Sequence, residues 1–155
     1  MEILSEKIPQ KDLLKGLDIY NYFIVNSKSN FEEKKLSRDY FLKFYKKLII
    51  DKMPFLIAKQ ESHILGIAFV SKFREKSGYR YTFEHSIYVN PKFLKKGYGT
   101  KILKELIKQC KKNKNIKNLI AVIGGSDNTA SIKIHKKYGF KLIGTIIKAG
   151  YKKIS

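Results

Sequence analysis

Apolar and polar positions alternate along the chain with a period that changes from segment to segment. After Pro9, which suits a first helical position because no backbone N–H is needed there, Leu13, Leu14, Leu17 and Tyr20 recur at helical spacing. Residues 26–35 are polar, interrupted by Phe31, and read as a loop. Ser37 can cap a second helix, in which Phe41, Phe44, Tyr45, Leu48 and Ile49 form one apolar stripe. Met53-Pro54 breaks that helix. The pattern then predicts strands over 55–59 and 64–73, an antiparallel hairpin around a Gln60-Glu61-Ser62-His63 turn. A strand over 83–89 is ended by Pro91. A helix over 100–112 carries Ile102, Leu103, Leu106, Ile107 and Cys110 on one face and five lysines on the other. The short apolar run 119–123 has the character of a strand covered on both faces. A helix over 128–138 and a strand over 140–147 complete the series. An early hairpin followed by β-α-β-α-β alternation implies a mixed α/β fold, α+β in its first half, layered around one sheet.

A length of 155 residues predicts one domain spanning 1–155, and 43% apolar residues supply enough material for a core. No apolar run approaches the roughly 18 residues of a membrane helix. The start, Met1-Glu2-Ile3-Leu4-Ser5-Glu6, lacks the basic and apolar regions of a secretory signal, so a cytoplasmic protein is expected. One cysteine cannot form an internal disulfide, and no Cys/His cluster has metal-ligand spacing, so no metal is expected.

The net charge of +20 is unevenly spread. Residues 1–91 hold 16 basic and 11 acidic side chains, whereas 92–155 hold 17 lysines against Glu105 and Asp127. The second half is therefore a suitable host for a polyanion. Only three of the basic residues are arginines, Arg38, Arg74 and Arg80, and this scarcity of bidentate forks argues against a dedicated nucleic-acid reader. An alternative account is compositional: lysine, isoleucine and asparagine are over-represented together, and most of the surplus lysine is then solvated on helix faces without a function.

Three segments carry candidate chemistry. Lys95-Lys96-Gly97-Tyr98-Gly99-Thr100 joins a strand to a helix, where glycines let the backbone approach an anion and the helix start directs free N–H groups at it. Taken alone, the same pattern is an ordinary strand–helix turn. Asn128-Thr129-Ala130-Ser131 opens the next helix, with His135 two turns beyond Asn128 on the same side and Gly139 as a left-handed stop. Taken alone, His135 reads more often as a satisfied core histidine than as a functional one. In the strand from Phe83 to Val89, Glu84 is a carboxylate among apolar and aromatic neighbours, costly to bury without a partner or a function. Alternation places Glu84, Ser86 and Tyr88 on one face and His85, Ile87 and Val89 on the other, so Glu84 and His85 cannot act as a side-by-side pair. Cys110, on an apolar helix face, is a poor nucleophile.

Glu84-His85-Ser86-Ile87-Tyr88-Val89-Asn90-Pro91, then Gly97-x-Gly99, then Asn128-x-Ala130-Ser131-x-x-x-His135-x-x-x-Gly139-Phe140 resembles the GNAT acetyltransferase superfamily, and within it the phosphinothricin N-acetyltransferase branch. The similarity extends to Ile19-Tyr20-Asn21, Asn30-Phe31-Glu32, Phe73-Arg74 and Ala149-Gly150-Tyr151-Lys152. The resemblance implies acetyl-CoA as donor, its pyrophosphate held by backbone N–H groups of Leu94, Lys95, Lys96, Gly97, Tyr98, Gly99 and Thr100. It implies a pantetheine arm lying strand-like along Ile87, Tyr88 and Val89, with Asn128 bonded to that arm. Glu84 is then the expected general base that frees the attacking amine of its proton, and His135 the group that protonates the departing thiolate or orients the acetyl group. Arg74, Arg80 and Phe31 are expected to hold a small amino-acid-like amine of the phosphinothricin, methionine sulfone or sulfoximine type. Leu94 stands where a Gln or Arg commonly begins the pyrophosphate loop, which removes one side-chain contact.

Relatives of this kind continue past the Gly-Tyr-Lys segment into a Trp-containing last strand between the fifth and sixth, whereas this sequence ends at Ser155. The expectation is a GNAT fold without its final strand. That leaves three outcomes: a truncated gene product, an inactive remnant, or rescue by exchange within a homodimer. Polyamine and protein N-terminal acetylation remain alternatives within the enzyme class, and a basic nucleic-acid or interaction protein outside it. A basic exterior repels polyamines.

Overall fold

The computed structural model describes residues 1–125 and 127–154. The chain runs β1 (Glu2–Leu4), α1 (Gln10–Asn26), α2 (Arg38–Ile50), β2 (Phe55–Gln60), β3 (His63–Lys72), β4 (Thr82–Val89), α3 (Tyr98–Lys112), β5 (Asn118–Ala121) and α4 (Thr129–Lys137). Single 3-10 turns at Ser77–Tyr79 and Pro91–Phe93 flank β4. The strands form one sheet in the order β1-β2-β3-β4-β5; the first three pairings are antiparallel and β4–β5 is parallel. Parallel neighbours need a crossover, and α3 supplies it.

Both helical layers follow from the apolar periodicity. On one face α1 approaches so closely that a Cβ at Gly16 would lie 2.7 Å from Ile57 Cδ1. On this face Phe41, Phe44 and Tyr45 of α2 meet Phe55 and Phe69 of the sheet in edge-to-face ring pairs. Ser37 caps α2 by accepting from the Tyr40 N–H, as its position predicts. On the opposite face Ile102, Leu103 and Leu106 of α3 are fully buried, and Gly66 of β3 leaves the space that the Ile102 side chain fills. Each such buried aliphatic side chain contributes roughly 1.5–3 kcal/mol. Asp12 in the first turn of α1 is buried and paired with Lys59 at 3.0 Å, so the charge is not left alone.

Three segments depart from the sequence expectation. β1 has only three residues, too few to show a period, and pairs Leu4 with Ile57 at the sheet's other edge. The run 119–123 is not covered on both faces: β5 is Asn118–Ala121, half buried, and Val122 is 60% exposed. The strand lies at the margin of the sheet among the described residues, so one flank has no neighbour. The strand expected over 140–147 does not form, and Ile143 there is 97% exposed. β propensity holds a segment in a sheet only when a ladder and a covered face support it, and 140–147 has neither. Among the described residues, no helix is long and apolar enough to cross a membrane.

Candidate active site

The parallel ladder between β4 and β5 stops at His85–Ala121, whereas β4 stays paired with β3 as far as Val89–Gly66. From Ser86 to Val89 one edge of β4 is therefore held and the other is open. Which peptide groups face the opening follows from two hydrogen bonds. Asn90 N–H bonds the Leu65 carbonyl at 2.8 Å and Phe73 N–H bonds the Thr82 carbonyl at 3.3 Å, so the even-numbered residues of β4 turn their peptide groups towards β3. Alternation by two then turns the N–H and C=O of Ile87 and Val89 into the opening. A cavity of about 770 Å³ occupies it.

At one end of the cavity lies the turn into α3. Gly97 has φ +79° at the N-cap position, and the chain there turns left-handed, which glycine adopts without strain. Gly99 brings the helix against β4, its missing Cβ lying 3.3 Å from Val89 Cγ2. The first N–H groups of α3 have no intrahelical acceptor and stand at the positive end of the helix dipole. Leu94, Lys95, Gly97, Tyr98, Gly99 and Thr100 line the cavity. Lys96 does not: it sits beside a smaller hollow with Gln60 and His63, its ammonium 5.7 Å from the Phe93 ring. Asn128 lines the cavity from the start of α4, and its side chain is not consumed in capping that helix.

At the other end Glu84, Ser86 and Tyr88 point to the α1 face, with Tyr88 packed edge-on to Tyr20 at 5.3 Å. Burial pushes the Glu84 carboxyl above the usual carboxylate range, and the Arg74 charge partly opposes it. Burial likewise raises the Tyr20 and Tyr88 phenols, so both remain neutral donors. The loop after α1 completes this end with Asn30, Phe31 and Glu32. Asn30 is buried; its Oδ1 accepts from the Glu32 N–H, and its Nδ2 stands near the two phenols without a hydrogen bond of good geometry.

Arg74 and Arg80, expected beside the substrate, do not line the cavity. The Arg74 guanidinium bonds the Phe73 carbonyl at 2.9 Å and lies 4.3 Å over the Phe73 ring. Arg80 bonds the Ser77 carbonyl and lies over Tyr81. Only the charge of Arg74 reaches the site, through Glu84.

His135 and Glu84 both line the cavity but come from opposite faces of the sheet. The partner of His135 is His85: their Nε2 atoms are 2.9 Å apart and the rings stack, with Phe140 packed against both. His135 Nδ1 lies 2.6 Å from the Ser131 carbonyl, which can only accept, so Nδ1 carries the proton. The neutral His135 Nε2 is then an acceptor and His85 Nε2–H donates to it, leaving His85 Nδ1 buried and unpaired. Burial, and the neighbouring His135, depress His85 to about 4; the Ile120 backbone draws it back slightly. Burial also lowers His135, opposed by its bond to Ser131. Sequence reasoning missed this pair. The signal was present, because alternation had already set His85 on the face that α4 covers.

Among the described residues, no group of three or more His, Cys, Asp or Glu side chains is arranged to hold a metal. Cys110 is buried and its thiol is pushed up to about 11, away from reactivity. What the cavity can do is bind a linear, anion-tipped ligand along an open strand edge and present a carboxylate at the far end.

Residues 18–140 match the model of the acetyltransferase (GNAT) family. The chain is 36% identical over 100 residues to the phosphinothricin N-acetyltransferase of Alcaligenes faecalis, a match spanning 64% of this chain and half of that enzyme. It is 30% identical over 136 residues to the L-methionine sulfoximine/L-methionine sulfone acetyltransferase of Salmonella typhimurium, spanning 87% of this chain and 78% of the relative. The crystal structure of a GNAT superfamily phosphinothricin acetyltransferase from Sinorhizobium meliloti in complex with acetyl-CoA superposes with a TM-score of 0.87 at 29% identity, covering 100% of this chain and 83% of the other. A cavity that opens where two parallel strands part, a left-handed turn into a helix at its mouth and a match over most of the sequence agree: the chain belongs to the GNAT acetyltransferase family.

Proposed function

We propose that this protein transfers an acetyl group from acetyl-CoA to the amine of a small amino-acid-like substrate of the phosphinothricin, methionine sulfone or sulfoximine kind. The observation that carries the reading is the open β4 edge at Ile87 and Val89, running from the carboxylate of Glu84 to the turn at Gly97. Acetyl-CoA supplies an activated thioester when bound. The residues that would hold it are Ile87 and Val89 through their peptide groups, Asn128 through its amide, and Lys95 and the N–H groups from Gly97 to Thr100 around the pyrophosphate. A backbone N–H of β4 directed at the thioester carbonyl would stabilise the charge that develops there.

Glu84 is the general base. An amine attacks only when neutral, and the raised carboxyl of Glu84 is better matched to an ammonium proton than an ordinary surface glutamate. Glu32 adds a second negative charge at that end of the cavity, which draws the cationic amine in. To protonate the departing thiolate, His135 would have to hold a second proton on Nε2, which both burial and the bond from His85 oppose. In this proposal His135 shapes the cavity floor and Glu84 does the larger share of the chemistry. The resemblance to acetyltransferases, one of them solved with acetyl-CoA, supports the reaction class, and the charge of Arg74 acts on Glu84.

The test is release of free thiol from acetyl-CoA over a panel of amino acids, methionine sulfone, phosphinothricin, spermidine and an N-terminal-alanine peptide. Turnover of the sulfone or phosphinothricin above the others is expected. Turnover of spermidine or the peptide alone would move the substrate class. Acetyl-CoA is also expected to raise the melting temperature, because ligand at about 100 times Kd adds roughly 2.7 kcal/mol. No shift at millimolar acetyl-CoA, with salt-sensitive binding to random duplex DNA instead, would leave a basic interaction protein on a GNAT scaffold. Association of two copies, which would cover the exposed apolar residues of 140–147, is expected to appear as a dimer in sedimentation.

A further inference from the structure

Lys152 lies outside the stretch that matches the family model, yet it is 93% covered although it carries a full charge. Its ammonium donates to the Asn30 carbonyl at 2.6 Å and the Ser27 carbonyl at 3.1 Å, closing on a loop more than 120 residues earlier in the chain. Two positions away, a Cβ on Gly150 would lie 2.8 Å from the Phe31 ring, so the backbone itself is pressed against that side chain. From the other side Gly124 touches the same loop, since a Cβ there would overlap the Lys28 carbonyl. The loop so gripped supplies Asn30, Phe31 and Glu32 to the acceptor end of the cavity.

Backbone carbonyls of a surface loop normally bond to water, and an ammonium is costly to strip of water. The arrangement is accounted for if the loop must be held in one conformation. We infer that Lys152, seated by Gly150, is a positioning residue for the amine substrate: it fixes the loop so that Phe31 and Glu32 line the acceptor end of the cavity while the Asn30 amide stays buried behind them. This inference rests on the acetyltransferase reading for its kinetic consequence, but not for its structural one.

The experiment uses the full chain with Lys152→Met, which keeps the length of the stem and removes the ammonium. Amide exchange in residues 27–33 is expected to rise about tenfold or more while α3 keeps its protection. The KM for the amine is expected to rise about tenfold, with the acetyl-CoA KM within about twofold of the parent. Unchanged exchange in 27–33, or a parallel rise of both KM values, overturns the inference. Should Lys152→Met fail to fold, Gly150→Ala, which presses on Phe31 without touching the charge, is expected to loosen the same loop and to raise the amine KM alone. If the parent proves inactive, the exchange measurement still decides the role of Lys152, separately from the proposed reaction.

Discussion

At Glu84, the proposed general base, burial bears directly on proton transfer. A raised carboxyl must still lose its proton before it can accept one from an ammonium, so the acid limb of kcat/KM is expected above the ordinary carboxylate range. Glu84→Gln should abolish that limb and lower kcat by about 100-fold, within the usual range for a general base, with acetyl-CoA binding intact. His135→Asn should cost much less; an equal loss would restore His135 as the proton donor. The histidine pair makes a second prediction, on stability. His85 has its folded value depressed from 6.5 to about 4, so the unfolded chain binds more protons between those limits. Its contribution is therefore complete above about pH 6.5 and is lost as pH falls towards 4, on the order of 3 kcal/mol. Glu84 has the opposite sign. Melting curves from pH 7 to 4.5 should fall less steeply for His85→Asn than for the parent. At this scale the sequence was informative where one residue conflicted with its neighbours, as Glu84 does in an apolar strand. It was silent where significance arises from a partner 50 positions away, as for His85 and His135. The expected placement of Arg74 and Arg80 beside the substrate came from proximity to Glu84 in sequence; in the structure local stacking on Phe73 and Tyr81 takes up their planes.

Among the elements, the turn into α3 and the close contacts of the sheet bear the site. Gly97→Ala meets no atom within 4 Å but must hold φ +79°, a strain of about 1–2 kcal/mol for an L-residue. It should weaken acetyl-CoA binding while leaving the core untouched, read as a smaller ligand-induced melting shift. Gly66→Ala acts differently. Its Cβ would lie 2.6 Å from Ile102 Cδ1 and 2.9 Å from the Tyr88 carbonyl, so α3 must shift from the sheet. A loss of about 1–3 kcal/mol in chemical denaturation is expected. The helices were legible because an apolar stripe recurs over several turns; α3 and α4 fall within two residues of the expected 100–112 and 128–138 at each end. Short strands were less so. β1 is too brief for a period, and 140–147 has strand-like residues without a ladder to join.

At the scale of the molecule, Lys95, one of the 17 lysines after residue 91, lines the cavity at the end that would take the phosphates. Exposed charges are screened beyond about 8 Å at physiological salt. The KM for acetyl-CoA should therefore rise several-fold between low and high salt, with the amine KM nearly flat, and Lys95→Glu should reduce the salt dependence. Composition, periodicity and ordered motifs determined the helices, the central hairpin and the mixed α/β class, because these follow from local spacing and from which side chains avoid water. The tertiary structure decided where β4 and β5 part, which peptide groups face the opening, that His85 holds His135, and that Lys152 reaches back to the loop at Asn30. Those are meetings of residues far apart in the chain. No local preference encodes them; they exist only once the packed layers bring the segments together.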